Sequence, residues 1–414
     1  MKILHLVHRS WPYSGGAERY VLEHALAGNR WGHESVICTT DAWDMSWLVS
    51  RSGQHIQRRM DIWNNIKIMR FPVVHPPLQN LMRAVLRRIS PCGPDRYFYP
   101  NPMIPSLHRW LSVDRGFDFV HANAMPFMLY EGWRYSRYHG KGLISVPHAG
   151  VGEKYRRIKA LHYFSGCQKK ILRNSTFVVA QSRFEKELYT SMGIPEERVY
   201  ISGSGIDPAE FRNVDTDSVL KRFGIKKPLV LSLTVHCKDR GTEHILKACR
   251  NLWLKGHEFT LLLAGPVFPE VEEYLEDCSE TVREFNDNIV MTGYVSNRDR
   301  IELLAAADML LQPSRLDCFG IVILEAWASG KPVIGCWSGG MPDMIQDGQN
   351  GFLVSWGDIA SLMNRIEILL DNAELGRVMG EKGRKDVLER FTWERVTDRF
   401  YRRLSQCCPD GNSV

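Results

Sequence analysis

Two carboxylates eight positions apart, Asp317 and Glu325, are the residues of this chain best placed to do chemistry. Asp317 follows the apolar run Met309-Leu310-Leu311, which reads as a buried strand. It stands in a loop just ahead of a helix that starts at Phe319 or Gly320. Glu325 lies inside that helix, after Ile321-Val322-Ile323-Leu324. Gly330 closes the helix, and Lys331-Pro332 leads into a second strand, Val333-Ile334-Gly335. A carboxylate in so apolar a helix is costly to bury without a partner, so a polar ligand is expected here.

Anion-binding loops accompany the carboxylates. Gly15-Gly16 falls between an apolar strand, residues 3–7, and a helical pattern from Arg19 to Asn29. Free backbone N–H groups and the helix dipole would favour a phosphate there, although a plain turn is the commoner use of two glycines. The GxGxxG pattern is absent from this loop, which argues against a dehydrogenase. Further on, the loop Thr234 to Gly241 carries Lys238 and Arg240, which can neutralise phosphate charge directly. Gly339-Gly340 precedes Pro342, a good first helical residue, and marks another helix start able to hold an anion. His121 and His148 both stand where strands end, the edge at which open α/β sheets bind ligands. A lone histidine there is more often structural, but two at the edge of the Gly15-Gly16 loop raise the case for His148. No DxD-type metal-ligand set stands out, so a diphosphate would be held by the protein's own positive groups. A carboxylate set back on a helix suits the paired hydroxyls of a ribose, and a second one nearby can hold sugar hydroxyls.

The elements that must position these residues alternate. Strands are expected at Ser35 to Thr39, Phe117 to Val120, Gly142 to Val146, Phe177 to Ala180 and Val199 to Ser202. A second series covers Leu229 to Leu233, Thr260 to Ala264, Ile289 to Thr292 and the two strands around Asp317. Helices fall between them, among them 241–254, an acidic one at 270–285, and 298–306. Such alternation implies two α/β units with parallel sheets and right-handed crossovers. Domain 1–207 is followed by domain 208–391, and 392–414 forms a last helix, with Thr392 as its N-cap, plus a tail. Residues 42–115 read as irregular, except for a short basic amphipathic helix at 81–89. That helix is suited to an anionic membrane surface or to packing on its own domain.

Composition sets the bounds. A chain of 414 residues with 44% hydrophobic and 24% charged residues has the make-up of a soluble globular protein too long for one core. Met1 to Val7 reads as a strand rather than a signal peptide, and no run is long enough to span a bilayer. The ten cysteines show no metal spacing. Cys38, Cys249 and Cys336 read as small core residues, and reduced thiols in a cytoplasmic setting are expected. Residues 1–200 hold 28 Lys or Arg against 15 Asp or Glu, whereas 201–414 hold 25 against 32. The basic half invites an anionic partner: a membrane surface, a phosphorylated acceptor or nucleic acid. It follows no recognised nucleic-acid motif, so no nucleic-acid partner is expected.

The ordered set of motifs is similar to the family 4 retaining glycosyltransferases, which have the GT-B fold. Asp317-x7-Glu325, with Phe319-Gly320 between, resembles the E-x7-E signature of that family. Gly15-Gly16-Ala17-Glu18 resembles its GGxE loop, and Pro147-His148-Ala149-Gly150 its histidine loop. Ser204-Gly205-Ile206-Asp207 resembles its domain junction, and Phe391-Thr392-Trp393-Glu394 the start of its last helix. Gly265-Pro266, Gly293-Tyr294-Val295 and Gly339-Gly340-Met341-Pro342-Asp343 fall where its corresponding turns fall. The resemblance implies two Rossmann-like domains facing each other across a cleft, an acceptor domain first and a nucleotide-sugar donor domain second. It implies that Glu325 binds the ribose and that Asp317 holds hydroxyls of the transferred sugar, helped by backbone N–H groups at Phe319, Gly320 and Ile321. By the same resemblance His148 contacts the sugar near its reacting carbon. Gly15, Gly16, Lys238 and Arg240 cradle the diphosphate, and Tyr294 and Val295 lie near the base. The implied reaction is retaining transfer, without metal or other cofactor, from a UDP- or GDP-sugar to a glycan, lipid-linked or small-molecule acceptor. The expected location is cytoplasmic, with peripheral contact at the inner face of a membrane as a candidate.

Two positions depart from the family pattern. Asp317 stands where Glu is usual, one methylene shorter. Val235 stands where an Arg is usual, five positions before Arg240, which leaves Lys238 or His236 to compensate. These departures are the support for an alternative, a nucleotide-binding scaffold of the same fold that has lost turnover.

Overall fold

Short runs of Val, Ile and Leu bounded by glycine and polar turns form the strands, and their continuous apolar character suits strands covered on both faces. The computed structural model describes residues 1–13, 15–76, 102–125, 127–148, 164, 166–277 and 286–407. The chain divides into two compact units. The first runs to Gly203 and takes in the chain from Val396 onward, and the second is built on Ser204–Arg395.

In the first unit eight strands form one sheet: β1 Lys2–Leu6, β2 Glu34–Thr40, β3 Met60–Trp63, β4 Ile66–Phe71, β5 Phe119–Asn123, β6 Gly142–Val146, β7 Phe177–Ala180 and β8 Val199–Ile201. Their order is β3-β4-β2-β1-β5-β6-β7-β8, and every pairing is parallel except β3 with β4. The chain leaves β1 toward β2 on one side and returns to β5 on the other, so the strand order reverses between β1 and β5.

The second unit has six strands: β9 Leu229–Leu233, β10 Thr260–Ala264, β11 Ile289–Gly293, β12 Met309–Gln312, β13 Val333–Cys336 and β14 Phe352–Val354. They are all parallel, in the order β11-β10-β9-β12-β13-β14. This is the 3-2-1-4-5-6 order of a doubly wound nucleotide-binding sheet, with its switch point between β9 and β12. Both sheets thus match the two Rossmann-like folds expected.

Residues 42–115 are more regular than expected. They include the helices Met45–Val49 and Pro105–Trp110 as well as the β3–β4 hairpin. Asn64 and Asn65 make the two-residue hairpin turn at φ 45 and 62°, a conformation asparagine tolerates better than most residues. An Asn-Asn pair between two runs of alternating polarity was the available signal. The basic helix expected at 81–89 lies outside the described residues, as does the end of the acidic helix, which is described over Pro269–Asp277.

The last helix, Trp393–Ser405, starts as expected: the Thr392 hydroxyl accepts from the Arg395 N–H at 3.3 Å. Trp393, Val396, Phe400, Tyr401 and Leu404 are buried at helical spacing. Within the first unit Phe400 caps a group of histidines in the core. His5 on β1 and His121 on β5 are register partners with their Nδ1 atoms 3.0 Å apart, and the His24 ring lies 5.5 Å from that of His121. All three are fully buried. Cys38, Cys249 and Cys336 are buried and form no disulfide among the described residues. Among the described residues no helix is long and apolar enough to cross a membrane.

Candidate functional site

The second unit gathers its candidates at the switch point. The loop after β9 and the loop after β12 leave adjacent strands at their carboxyl ends. The first makes a single turn, Lys238–Arg240, and passes through Gly241 at φ 77° into the helix Thr242–Leu254. The second carries Asp317 and passes through Gly320 at φ 88° into the helix Ile321–Ala328. Both helices begin without a side-chain cap, which leaves their first N–H groups without a capping side chain.

The loops meet through charge. Arg240 Nη1 donates to Asp317 Oδ2 at 2.7 Å and to Ser314 Oγ at 3.3 Å. Gln312 Nε2 reaches the same Oδ2 at 3.3 Å, and the Phe319 N–H donates to Oδ1 at 3.3 Å. Asp239 and Arg315 pair across the same two loops, with Arg315 Nε donating at 2.7 Å. A third loop closes behind: the Gly340 N–H donates to the Asp317 carbonyl at 3.3 Å. Gly339, at φ 60°, comes so near that a Cβ would lie 2.0 Å from that carbonyl oxygen, so glycine is required by both space and conformation.

Glu325 sits in the second turn of the Ile321–Ala328 helix, whose Ile323, Leu324, Ala326 and Trp327 are buried. Its side chain is 14% exposed and is paired with Arg300, from the helix Asn297–Ala306. The costly carboxylate therefore has a protein partner that the sequence reading missed. Arg300 is one of several charges on a polar helix, and nothing local marks it out. Gln312 was missed as well, though a polar residue ending the apolar strand Met309–Gln312 was a usable signal.

The remaining candidates lie nearby in the chain. The Lys238 side chain is exposed, while its N–H donates to Glu270 at 2.9 Å. Val235 is 39% exposed. His236 is fully buried, and burial holds its pKa down at about 4, so it is neutral near pH 7. A neutral imidazole cannot replace the missing cation, which leaves Lys238 of the two compensating residues. Tyr294 is 84% exposed, and Val295 packs against the core.

The first unit brings its own candidates to the carboxyl ends of β1, β5 and β6. Gly15 precedes the helix Gly16–Arg30, which has no side-chain cap. Glu18 in the first turn is buried and ion-paired with Arg9 at 3.0 Å, and the Arg9 guanidinium lies over the Tyr13 ring. A carboxylate thus already faces that helix start, neutralised by an arginine the sequence reading passed over. His148 follows β6 in a left-handed conformation, φ 49°. Asn123 donates its amide to the His121 carbonyl, which turns Oδ1 toward His148 Nε2 at 3.2 Å. That network assigns the proton to Nε2 and leaves Nδ1 as an acceptor. Burial lowers the His148 pKa to about 4, so the imidazole acts as a neutral hydrogen-bonding group. His121, by contrast, belongs to the buried histidine group.

Comparison with known proteins gives two family matches. Residues 14–210 match the model described as Glycosyltransferase Family 4, and residues 216–386 the one described as Glycosyl transferases group 1. The chain is 28% identical over 218 residues to N-acetyl-alpha-D-glucosaminyl L-malate synthase of Bacillus anthracis, a match spanning 52% of each protein. It is 22% identical over 351 residues to an uncharacterised glycosyltransferase of Methanocaldococcus jannaschii, covering 80% of this chain and 83% of that one. Its fold is similar to that of Anabaena HepE in complex with UDP and glucose. The TM-score is 0.74 at 18% identity, over 98% of this chain and 99% of the other.

Proposed function

From a chain that belongs to the glycosyltransferases of the family 4 and group 1 type, with the GT-B fold, we propose a sugar transfer from a nucleotide-diphosphate sugar to a glycan, lipid-linked or small-molecule acceptor. The observation that carries this reading is the switch point of the second unit. There Arg240 and Asp317 meet beside two uncapped helix N-termini, with Glu325 in the second turn of the second helix. Positive groups and open N–H donors suit a diphosphate, and the two carboxylates suit hydroxyls. Crystal structures of HepE in complex with UDP and with UDP-glucose support a donor of this class.

In this reading Arg240 and Lys238 stabilise the charge that grows on the departing diphosphate, and the N–H groups at Phe319, Gly320 and Ile321 help Asp317 hold the sugar. The acceptor hydroxyl attacks the anomeric carbon on the face the diphosphate leaves. Its proton passes to a diphosphate oxygen, so the configuration is retained and no protein base is needed. Catalysis then rests on positioning and on electrostatics, and no metal is required. His148, Gly15 and Gly16 of the first unit keep the sugar and phosphate roles assigned from the resemblance. The basic first half would hold the protein at an anionic membrane, which salt-sensitive binding to anionic vesicles tests.

The deciding experiment is a thermal-shift screen across nucleoside diphosphates and nucleotide sugars, followed by a transfer assay with the donor that binds. Glu325→Ala is expected to abolish transfer in a folded protein, and undiminished transfer would overturn the assignment. The anomeric configuration of the product checks retention, and full activity in chelator checks metal independence.

A further inference from the structure

Among the described residues Arg240 hydrogen-bonds through one nitrogen. Its Nη1 donates to Asp317 Oδ2 and to Ser314 Oγ, and among the described residues Nη2 and Nε have no partner. A guanidinium held at one corner is poorly used, because its fork geometry is suited to two parallel bonds with an oxyanion. It also stands on the turn Lys238–Arg240, directly ahead of the uncapped helix Thr242–Leu254 and two positions from the exposed Lys238. Asp317, for its part, does not depend on Arg240 alone. The Gln312 amide and the Phe319 N–H hold the same carboxylate from β12 and from the start of the next helix. Arg240 therefore keeps two nitrogens for another partner, and Asp317 keeps two donors when Arg240 is drawn away.

We propose that Asp317 and the donor's diphosphate compete for the Arg240 guanidinium, so that Asp317 sets how tightly the second unit takes a nucleoside diphosphate. In the unliganded protein Arg240 rests on Asp317. An arriving diphosphate offers the fork two oxygens and draws it away, which leaves the carboxylate on Gln312 and Phe319 and open to the hydroxyls of the sugar. After transfer, Asp317 takes the guanidinium back and helps the diphosphate leave. The shorter aspartate side chain is thus part of a release device as well as a sugar contact. The inference rests on the nucleotide-sugar reading above and deepens it.

The test is a set of calorimetric titrations of the full chain with UDP, GDP and ADP, which lack the sugar. The diphosphate that binds the natural protein is then titrated into Asp317→Asn, Arg240→Gln and the double variant. Asp317→Asn is expected to bind it about three- to tenfold more tightly, and Arg240→Gln more weakly. In the Arg240→Gln background, Asp317→Asn should change the affinity less than twofold, because there is no longer a guanidinium to release. Unchanged or weaker binding in Asp317→Asn overturns the proposal. So does an equal gain in the double variant, which would show plain repulsion between Asp317 and the diphosphate. Should Asp317→Asn not fold, Asp317→Ser is read by the same criteria. If none of the three diphosphates binds the natural protein, it is the nucleotide-sugar reading that fails.

Discussion

Acid should weaken the first unit through His5, His24 and His121. All three are fully buried, and no carboxylate lies among the groups that set their ionisation. Burial pushes the pKa of His5 and His24 down to about 3 and that of His121 well below its ordinary value. The neighbouring histidines disfavour a charge further. In the unfolded chain each would titrate near pH 6.5. The native state therefore binds fewer protons, and its stability is complete above about pH 6.5 and is lost as pH falls toward the folded values. At pH 5 His5 and His24 each lie about 1.5 units below their unfolded pKa, which costs about 2 kcal/mol apiece and about 4 kcal/mol together, and His121 adds in the same direction. That is comparable with the whole stability of a typical domain, about 5–15 kcal/mol. Burial of His8 and His148 adds in the same direction, whereas in the described second unit burial lowers His236 to about 4 and lowers His244 as well, and no group of touching buried histidines forms there. Urea unfolding at pH 7.5, 6 and 5, followed by tryptophan fluorescence and circular dichroism, should show the first unit losing its midpoint well before the second. The His5→Gln variant should flatten the pH dependence by about 1.4 kcal/mol per pH unit near pH 5. A first unit whose stability at pH 5 lies within about 1 kcal/mol of that at pH 7.5 would refute the reasoning.

His148→Ala should lower turnover more than nucleotide affinity, and the reverse pattern, seen in paired transfer and binding assays, would remove it from the catalytic groups. Arg300→Gln removes the Arg300 ion pair of a mostly buried Glu325, so the second unit should lose about 1–3 kcal/mol in urea unfolding; no loss would mean the pair is not formed in solution. Gly339→Ala puts a Cβ against the Asp317 carbonyl at a left-handed position, and a loss of about 2 kcal/mol or more is expected in the same assay, with a neutral result counting against the loop packing.

Much of the fold was legible in the chain because its signals are local. Runs such as Leu229–Leu233, Thr260–Ala264 and Phe177–Ala180 announce buried parallel strands, and Gly339-Gly340 and Gly320 mark turns that other residues resist. The Asp317–Glu325 spacing is local as well, which is why it could be singled out without a structure. What tertiary structure decided were the pairings across long stretches of chain. Strand order brings the ends of β9 and β12 side by side, and only then do Arg240 and Asp317 meet. Arg300 reaches Glu325 from another helix, Arg9 reaches Glu18 across a loop, and His5 finds His121 on the neighbouring strand. Charge pairing and burial depend on distance in space and on solvent exclusion. A histidine such as His236 therefore offers itself as a cation in the sequence, and is neutral once the fold has closed around it.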